Sequence, residues 1–419
     1  MSEVKRIAHN TIFQVIGKTV TMGISVLITS LITRSYGIGG YGAYSLIIGY
    51  PALFYIIADF GFNAIATKEL SINEKNISNI IGNIIVLRML ISTLVLFIAF
   101  FFLLLLPYPP KVKFGVFIGL FTVVTTSLIT TGNIGFQVKL RYDLANVASV
   151  VGSLIVPVFI LLLIYLKRDI TLSGFALVLS GIITLFLSFF FLRKLEIRPK
   201  ISLDLSIAKR FLRDSFPLAI MFIFSQVNFK ADSILLSIMP VARGFGMNNL
   251  EAVGIYGLAY KVFEVSLIIP TFFMNSVYPI MVRRYSEGKK NLLHIFKRVI
   301  LSLFIAGVVG GVLGFLLSDV TIDILGGRGF HLSVLALRIF MLSLVIFYLT
   351  QPLSWLIVTL GGQKFLPFIY FFAAVLNISL NLVFIPRYSF LASANITWIS
   401  ELFILVLLSF TALRLIKRA

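Results

Sequence analysis

Long, uniformly apolar runs separated by short polar breaks occupy almost the whole chain. Twelve runs can be counted. Six lie near 10–33, 40–62, 79–106, 113–134, 145–166 and 172–192, and six near 212–240, 252–280, 297–318, 334–360, 364–385 and 390–413. Most reach the roughly 20 residues that a helix needs to cross a hydrocarbon layer. Helix is the expected state, because only helices and closed barrels satisfy their backbone polar groups in lipid. A barrel would show alternating segments of about ten residues, and these runs do not alternate. The breaks carry turn chemistry, as in Gly37-Ile38-Gly39-Gly40, Pro107-Tyr108-Pro109-Pro110, Pro199 and Gly326-Gly327. The longest hydrophilic break, 193–211, predicts a cytoplasmic linker between an N-terminal six-helix lobe (1–192) and a C-terminal six-helix lobe (212–419). The expected fold is therefore an all-α integral membrane protein with twelve transmembrane helices in two lobes.

Composition agrees with this pattern. Of 419 residues, 59% are hydrophobic and 12% charged, with a mean hydropathy of +1.04; soluble domains carry about 25% charged residues. There is no cysteine, so disulfides and thiolate metal sites are excluded. His9, His294 and His331 are far apart in sequence, and neither a metal nor a cofactor is expected. The first apolar run begins near Asn10 and continues for a full span, so no cleavable signal peptide is expected.

The net charge of +20 is distributed asymmetrically. With the N-terminus cytoplasmic, twenty-three basic residues fall in inside segments and eight in outside ones. The positive-inside rule then places both termini in the cytoplasm, as an even number of spans requires. This distribution accounts for the high pI without nucleic-acid binding, which is not expected.

Five cations interrupt the apolar runs: Lys18, Arg88, Lys230, Lys261 and Arg338. A cation near a bilayer centre costs roughly 2.5–3.5 kcal/mol on insertion scales, so such residues face a bundle interior or a polar cavity. Together they predict a positively charged chamber suited to an anionic cargo. In the first span Asn10, Gln14, Lys18, Thr21 and Ser25 recur every three or four residues and form one helical stripe. The stripe can line a cavity or bind a neighbouring helix, since Asn, Gln, Ser and Thr bond across membrane helices; Lys18 favours the cavity. In the seventh span Gln226 and Lys230 share a face, as do Asn228 and Asp232. In the eighth, Lys261 and Glu264 are three apart and can pair, while Tyr256, Tyr260 and Glu264 form a stripe that can contact sugar rings or pack. Arg88 has no acid within helical reach and needs a cargo anion or a distant partner. Arg338 is near enough to a span end to snorkel. Asp59, Glu264 and Glu401 are candidates for ion coupling or internal pairing.

A weak internal repeat links the halves: Gly40-Tyr41-Gly42-Ala43-Tyr44 opens the second span and Gly254-Ile255-Tyr256-Gly257-Leu258-Ala259-Tyr260 the eighth. Each follows a span with an embedded lysine, and repeats of this kind place a transporter's cargo site at their interface.

The ordered fragments Asn10-Thr11-Ile12-Phe13-Gln14, Arg34-Ser35-Tyr36-Gly37, Asp59-Phe60-Gly61-Phe62-Asn63, Lys68-Glu69, Phe216-Pro217-Leu218, Lys230-Ala231-Asp232, Ala259-Tyr260-Lys261, Asn377, Asn381 and Ile385-Pro386-Arg387-Tyr388 run nearly end to end. In order and spacing the chain resembles the polysaccharide transporters, or lipid-linked oligosaccharide flippases, of the multidrug/oligosaccharidyl-lipid/polysaccharide exporter superfamily. It departs where Ser389 replaces the usual glycine and Ala394-Asn395-Ile396 a small-residue run. The resemblance implies two lobes around a central cavity and a cargo of polyprenyl-(pyro)phosphate-linked oligosaccharide, moved to the outer leaflet of the cell membrane by alternating access. The cationic residues would neutralise phosphate, and Asn10, Gln14, Asn228, Asp232, Tyr256 and Tyr260 would bind the head group. Membrane lipids and glycan-assembly proteins are the other partners implied.

Alternatives within the superfamily are a multidrug exporter, whose cavity should be net acidic, and a peptidoglycan-precursor flippase, which usually has extra helices. A membrane glycan polymerase or glycosyltransferase would need a long outer loop or clustered acids, and the chain has neither. No phosphate-binding Gly-x-x-x-x-Gly-Lys-Ser/Thr loop is present, so ATP hydrolysis is not expected. The expectation is a transporter, not an enzyme.

Overall fold

The computed structural model describes residues 3–72, 76–240 and 243–418, and every regular element among them is helical. The helices are α1 (Glu3–Asp59), α2 (Phe62–Ile72), α3 (Ile77–Leu105), α4 (Pro110–Val138), α5 (Tyr142–Ser153), α6 (Ile155–Tyr165), α7 (Ser173–Lys194), α8 (Leu205–Ile238), α9 (Asn249–Ser266), α10 (Ile268–Ser286), α11 (Lys289–Leu316), α12 (Ser318–Gly326), α13 (His331–Thr359), α14 (Leu366–Tyr388) and α15 (Phe390–Arg418).

Eleven helical stretches among the described residues are long and apolar enough to cross a membrane, against twelve expected. The difference arises at the start of the chain. The run near 10–33 and nearly all of the run near 40–62 fall within α1, whose apolar part Ile16–Asp59 has 44 residues. At 1.5 Å per residue that is about 66 Å, twice a bilayer's hydrocarbon thickness. Gly37, at φ 66° and ψ −165°, breaks the helical geometry between the two runs. Two short helices, α2 and α12, were not anticipated. The apolar runs near 145–166 and 252–280 each divide into a pair of helices, at Leu154 and Leu267.

Backbone proximity divides the chain into two compact units, Met1–Tyr36 with Ala43–Ile223, and Gly37–Gly42 with Phe224–Ala419. In the first unit, α4 packs along α3 and α7, and Phe62, Ile81, Ile84, Phe136 and Phe211 form a fully buried core. In the second, α13 packs against α9, α11 and α15. The α11–α13 approach depends on small residues: a Cβ at Gly307 would lie 2.9 Å from Val345 Cα, and one at Gly311 2.6 Å from the Met341 carbonyl oxygen. Without a hydrophobic drive between helices in lipid, close backbone packing of this kind holds them together. Also in this unit, the two glycine-rich repeat segments meet. A Cβ at Gly42 would overlap the Leu250 carbonyl, and one at Gly254 the Ile38 carbonyl.

The hydrophilic stretch 193–211 is partly helical. Only its middle is non-helical, because 205–211 already belong to α8. α7 ends in a turn with Glu196 at φ 62°, where the Ile197 amide donates to the Leu192 carbonyl at 3.0 Å. Ile197 is thereby buried. The following chain is pinned to α3: the Lys200 amide donates to the Ser78 carbonyl at 2.9 Å, over a surface where Gly82 leaves no room for a side chain. Asp204 caps α8, accepting from the Ser206 hydroxyl at 2.6 Å and its amide at 2.8 Å. These bonds hold the Asp204 carboxyl below the usual carboxylate range.

Candidate functional site

In the first unit the polar groups converge on Arg88, which α3 carries into the interior with no exposed surface. Its distant partner is an acid from α1: one guanidinium nitrogen donates to Asp59 Oδ1 at 2.6 Å and to the Asp59 carbonyl at 3.1 Å. The other donates to the Ser127 carbonyl at 3.0 Å, Thr130 Oγ1 at 2.8 Å and Thr131 Oγ1 at 2.9 Å. The Tyr55 hydroxyl adds a bond to Asp59 Oδ1 at 3.3 Å. A buried charge is tolerated when it is paired and hydrogen-bonded, and this site meets both conditions. Tyr55 also lines a cavity of about 330 Å³ whose polar wall includes Thr122, Thr125, Thr126, Ser180 and Thr184.

The stripe on α1 is only partly visible. Lys18 is exposed and Gln14 half-buried; the Asn10 side chain lies outside the described residues. Thr21 donates to the carbonyls of Gly17 and Lys18 at 3.1 and 3.0 Å, so its proton serves its own helix. Among the described residues Lys18 has no ion-pair partner.

In the second unit, a half-open cationic cluster joins α8 and α9. Lys230 Nζ lies 3.2 Å from Glu264 Oε1 and Lys261 Nζ 3.3 Å from Glu264 Oε2. One carboxylate therefore serves two ammonium groups, leaving an excess positive charge. The three side chains remain 23%, 32% and 43% exposed for Lys230, Lys261 and Glu264. Lys230 also sits over the Tyr260 ring at 5.3 Å, and Tyr260 stacks on Tyr256 with centroids 5.6 Å apart.

Deeper in the same unit Asp232 is fully buried among neutral donors from three helices. Its Oδ2 accepts from the Tyr256 hydroxyl at 2.9 Å and Thr397 Oγ1 at 2.7 Å, and its Oδ1 from Asn381 Nδ2 at 2.8 Å. Asn377 Oδ1 and Ser393 Oγ brace Asn381 at 3.2 and 3.0 Å. Tyr256, read from sequence as a sugar contact, is 1% exposed and committed to this network. Asn228 is buried as well, with its carbonyl oxygen unpartnered. Glu401 on α15 is buried and bonded to the Thr350 hydroxyl of α13. Arg338 reaches Asp319 on α12 at 2.6 Å and stacks over Phe315.

Sequence spacing brought Lys261 and Glu264 together, but it separated Lys230 from Glu264 and Asp59 from Arg88. It missed Thr397 and Asn381 as partners of Asp232, and Asn377 and Ser393 as the groups that brace Asn381. The available signal was Asn377/Asn381 and Ser393/Thr397, each four apart and so on one helix face. Among the described residues no group of three or more His, Cys, Asp or Glu is placed to hold a metal ion.

A family model described as polysaccharide biosynthesis protein matches residues 7–285, and a second, MatE, matches 217–383. No curated protein sequence matches the chain. Among solved structures, the fold is similar to a lipid II flippase MurJ in an inward closed conformation, with a TM-score of 0.77 at 15% identity over 96% of this chain and 89% of that one. It is also similar to an inward-facing multidrug resistance MATE family transporter of the MOP superfamily, at 0.75 and 14% identity over 96% of both chains. A MOP superfamily transporter from Pyrococcus furiosus, titled for the reverse polarity of its binding pocket, matches at 0.65 and 14% identity over 98% and 96%.

Proposed function

Since this chain belongs to the polysaccharide biosynthesis protein family, with the fold of a MOP-superfamily transporter, we propose that it flips a polyprenyl-(pyro)phosphate-linked oligosaccharide across the cell membrane. The observation that carries this reading is the Lys230–Glu264–Lys261 cluster. It places two ammonium groups and one carboxylate, half-open, within helices long and apolar enough to span a bilayer. A phosphate entering there meets a net positive charge and competes with Glu264 for both lysines. A pyrophosphate would otherwise shed its water into hydrocarbon, where each unpaired polar group costs several kcal/mol.

In this reading twelve spans form two six-helix lobes, 1–192 and 212–419, around a central cavity. The cavity opens alternately to either side, as in transporters built from repeats. Lys18 and Lys230 are the matched cationic contacts of the two lobes, and Tyr260 supports Lys230 from beneath. Arg88 takes a different role from the one its position in the sequence suggests. Its two terminal guanidinium nitrogens are engaged by Asp59 and by the α4 backbone and hydroxyls, so it braces the first unit and leaves cargo binding to the lysines. Of the acids, Asp59 and Glu264 are compensated by cations. Asp232 and Glu401 are bonded to neutral groups alone among the described residues, and a buried carboxylate in that state draws a proton or a cation. They are the coupling positions of this reading.

The net positive charge of the cluster favours a phosphate cargo over the cationic, lipophilic compounds expected of a multidrug exporter. The test is translocation of a fluorescent lipid-linked oligosaccharide in reconstituted vesicles. Lys18→Ala with Lys230→Ala should abolish transport at an unchanged melting temperature, whereas Arg88→Gln should destabilise the protein by about 3–5 kcal/mol, as expected when one partner of a buried ion pair is removed. Full transport by the lysine double variant would sink the cationic mechanism.

A further inference from the structure

The end of α7 and the chain after it build a second cationic feature, remote in sequence from the Lys230 cluster. Arg193 occupies the last turn of α7 and Arg198 follows the left-handed turn at Glu196. The turn is fixed on both sides. Ile197 is buried in the first unit's core, and the Lys200 amide is tied to α3 through Ser78. Both arginines consequently stand on a rigid backbone, and with Pro199 they line a recess of about 370 Å³. Neither arginine makes an ion pair or a side-chain hydrogen bond among the described residues. Asp204, the acid that follows, is already engaged in capping α8. Residues 193–200 hold four cations against the single acid Glu196.

Position supplies the second half of the argument. The apolar span Ile170–Lys194 ends at this recess, so Arg193 lies where the hydrocarbon gives way to the polar interface. Phe186 and Phe190, about two turns and one turn earlier on α7, are exposed, offering an apolar surface for acyl chains. Lys194 folds over the Phe190 ring at 4.7 Å. Two guanidinium forks at headgroup height match the geometry of a phosphate, which arginine binds in bidentate fashion. Basic recesses at membrane helix ends recognise anionic headgroups in this way.

We propose that the Arg193–Arg198 recess binds the headgroup phosphate of an anionic phospholipid whose acyl chains lie along the Phe186–Phe190 face of α7. The site is independent of the transport reading. It anchors the turn that leads from α7 to α8.

Native mass spectrometry of the delipidated full-length chain in neutral detergent tests this. Phosphatidylglycerol should be retained in preference to phosphatidylcholine. Arg193→Gln with Arg198→Gln should weaken that retention roughly thirtyfold, the ratio for removing two basic contacts to an anionic surface. Lys289→Gln with Lys290→Gln, which removes the same charge elsewhere, should leave it unchanged. Inorganic phosphate at millimolar concentration should not displace the lipid. The single arginine variants, each expected to lose about fivefold, serve if the double variant does not accumulate. The proposal is overturned by undiminished lipid retention in the arginine variants, by equal binding of the zwitterionic lipid or by an equal loss in the lysine control. Displacement by free phosphate would overturn it too, by showing a simple anion site.

Discussion

Ser389 ends α14 at φ 49° and ψ −134°, a backbone conformation that suits glycine and strains any side chain. Its hydroxyl is buried without a hydrogen-bond partner, so the side chain offers nothing in return. Strain of this type costs about 1–3 kcal/mol, against 0.5–1 kcal/mol of added chain entropy for glycine. Ser389→Gly should therefore stabilise the protein by about 1 kcal/mol, read as a higher unfolding midpoint in detergent; a lower midpoint would show that the strain is absent. The resemblance marked this position as unusual, and the backbone gives the reason. At the same scale, residue spacing was informative only within one helix. Lys261 and Glu264 are adjacent on α9 and pair at 3.3 Å. Arg88 and Asp59 are 29 positions apart, and no local pattern connects them.

At the scale of elements, apolar run length located the helices because lipid leaves the backbone no alternative. Their breaks were less legible. Leu154 and Leu267 divide expected single spans at residues that carry no turn signal. Packing between elements depends on backbone approach, which a hydropathy pattern does not report. Gly23 has open space around its Cβ position, whereas Gly254 faces the Ile38 carbonyl. Gly254→Ala should destabilise the protein by about 1–3 kcal/mol, the usual cost of overpacking. Gly23→Ala should be neutral or gain up to about 1 kcal/mol from helix propensity. Paired melting curves decide the matter, and equal shifts for the two variants would refute the close approach.

At the scale of the whole molecule, the charge asymmetry of the polar breaks makes a topology claim that can be checked directly. The absence of cysteine simplifies the measurement. Lys111→Cys should react with an impermeant maleimide in intact cells, and Lys200→Cys only after permeabilisation; the reverse pattern would invert the assigned orientation. The sequence by itself determined that the chain is a multi-spanning helical membrane protein with several cations in its spans. Both conclusions follow from solvation, which acts on each residue according to its own chemistry. Tertiary structure alone decided what each of those charges does. It closed Arg88 around Asp59, shared Glu264 between Lys230 and Lys261, and left Asp232 among neutral donors. A charge in a low-dielectric interior is governed by the groups within a few ångströms of it, and folding brings those groups from distant parts of the chain.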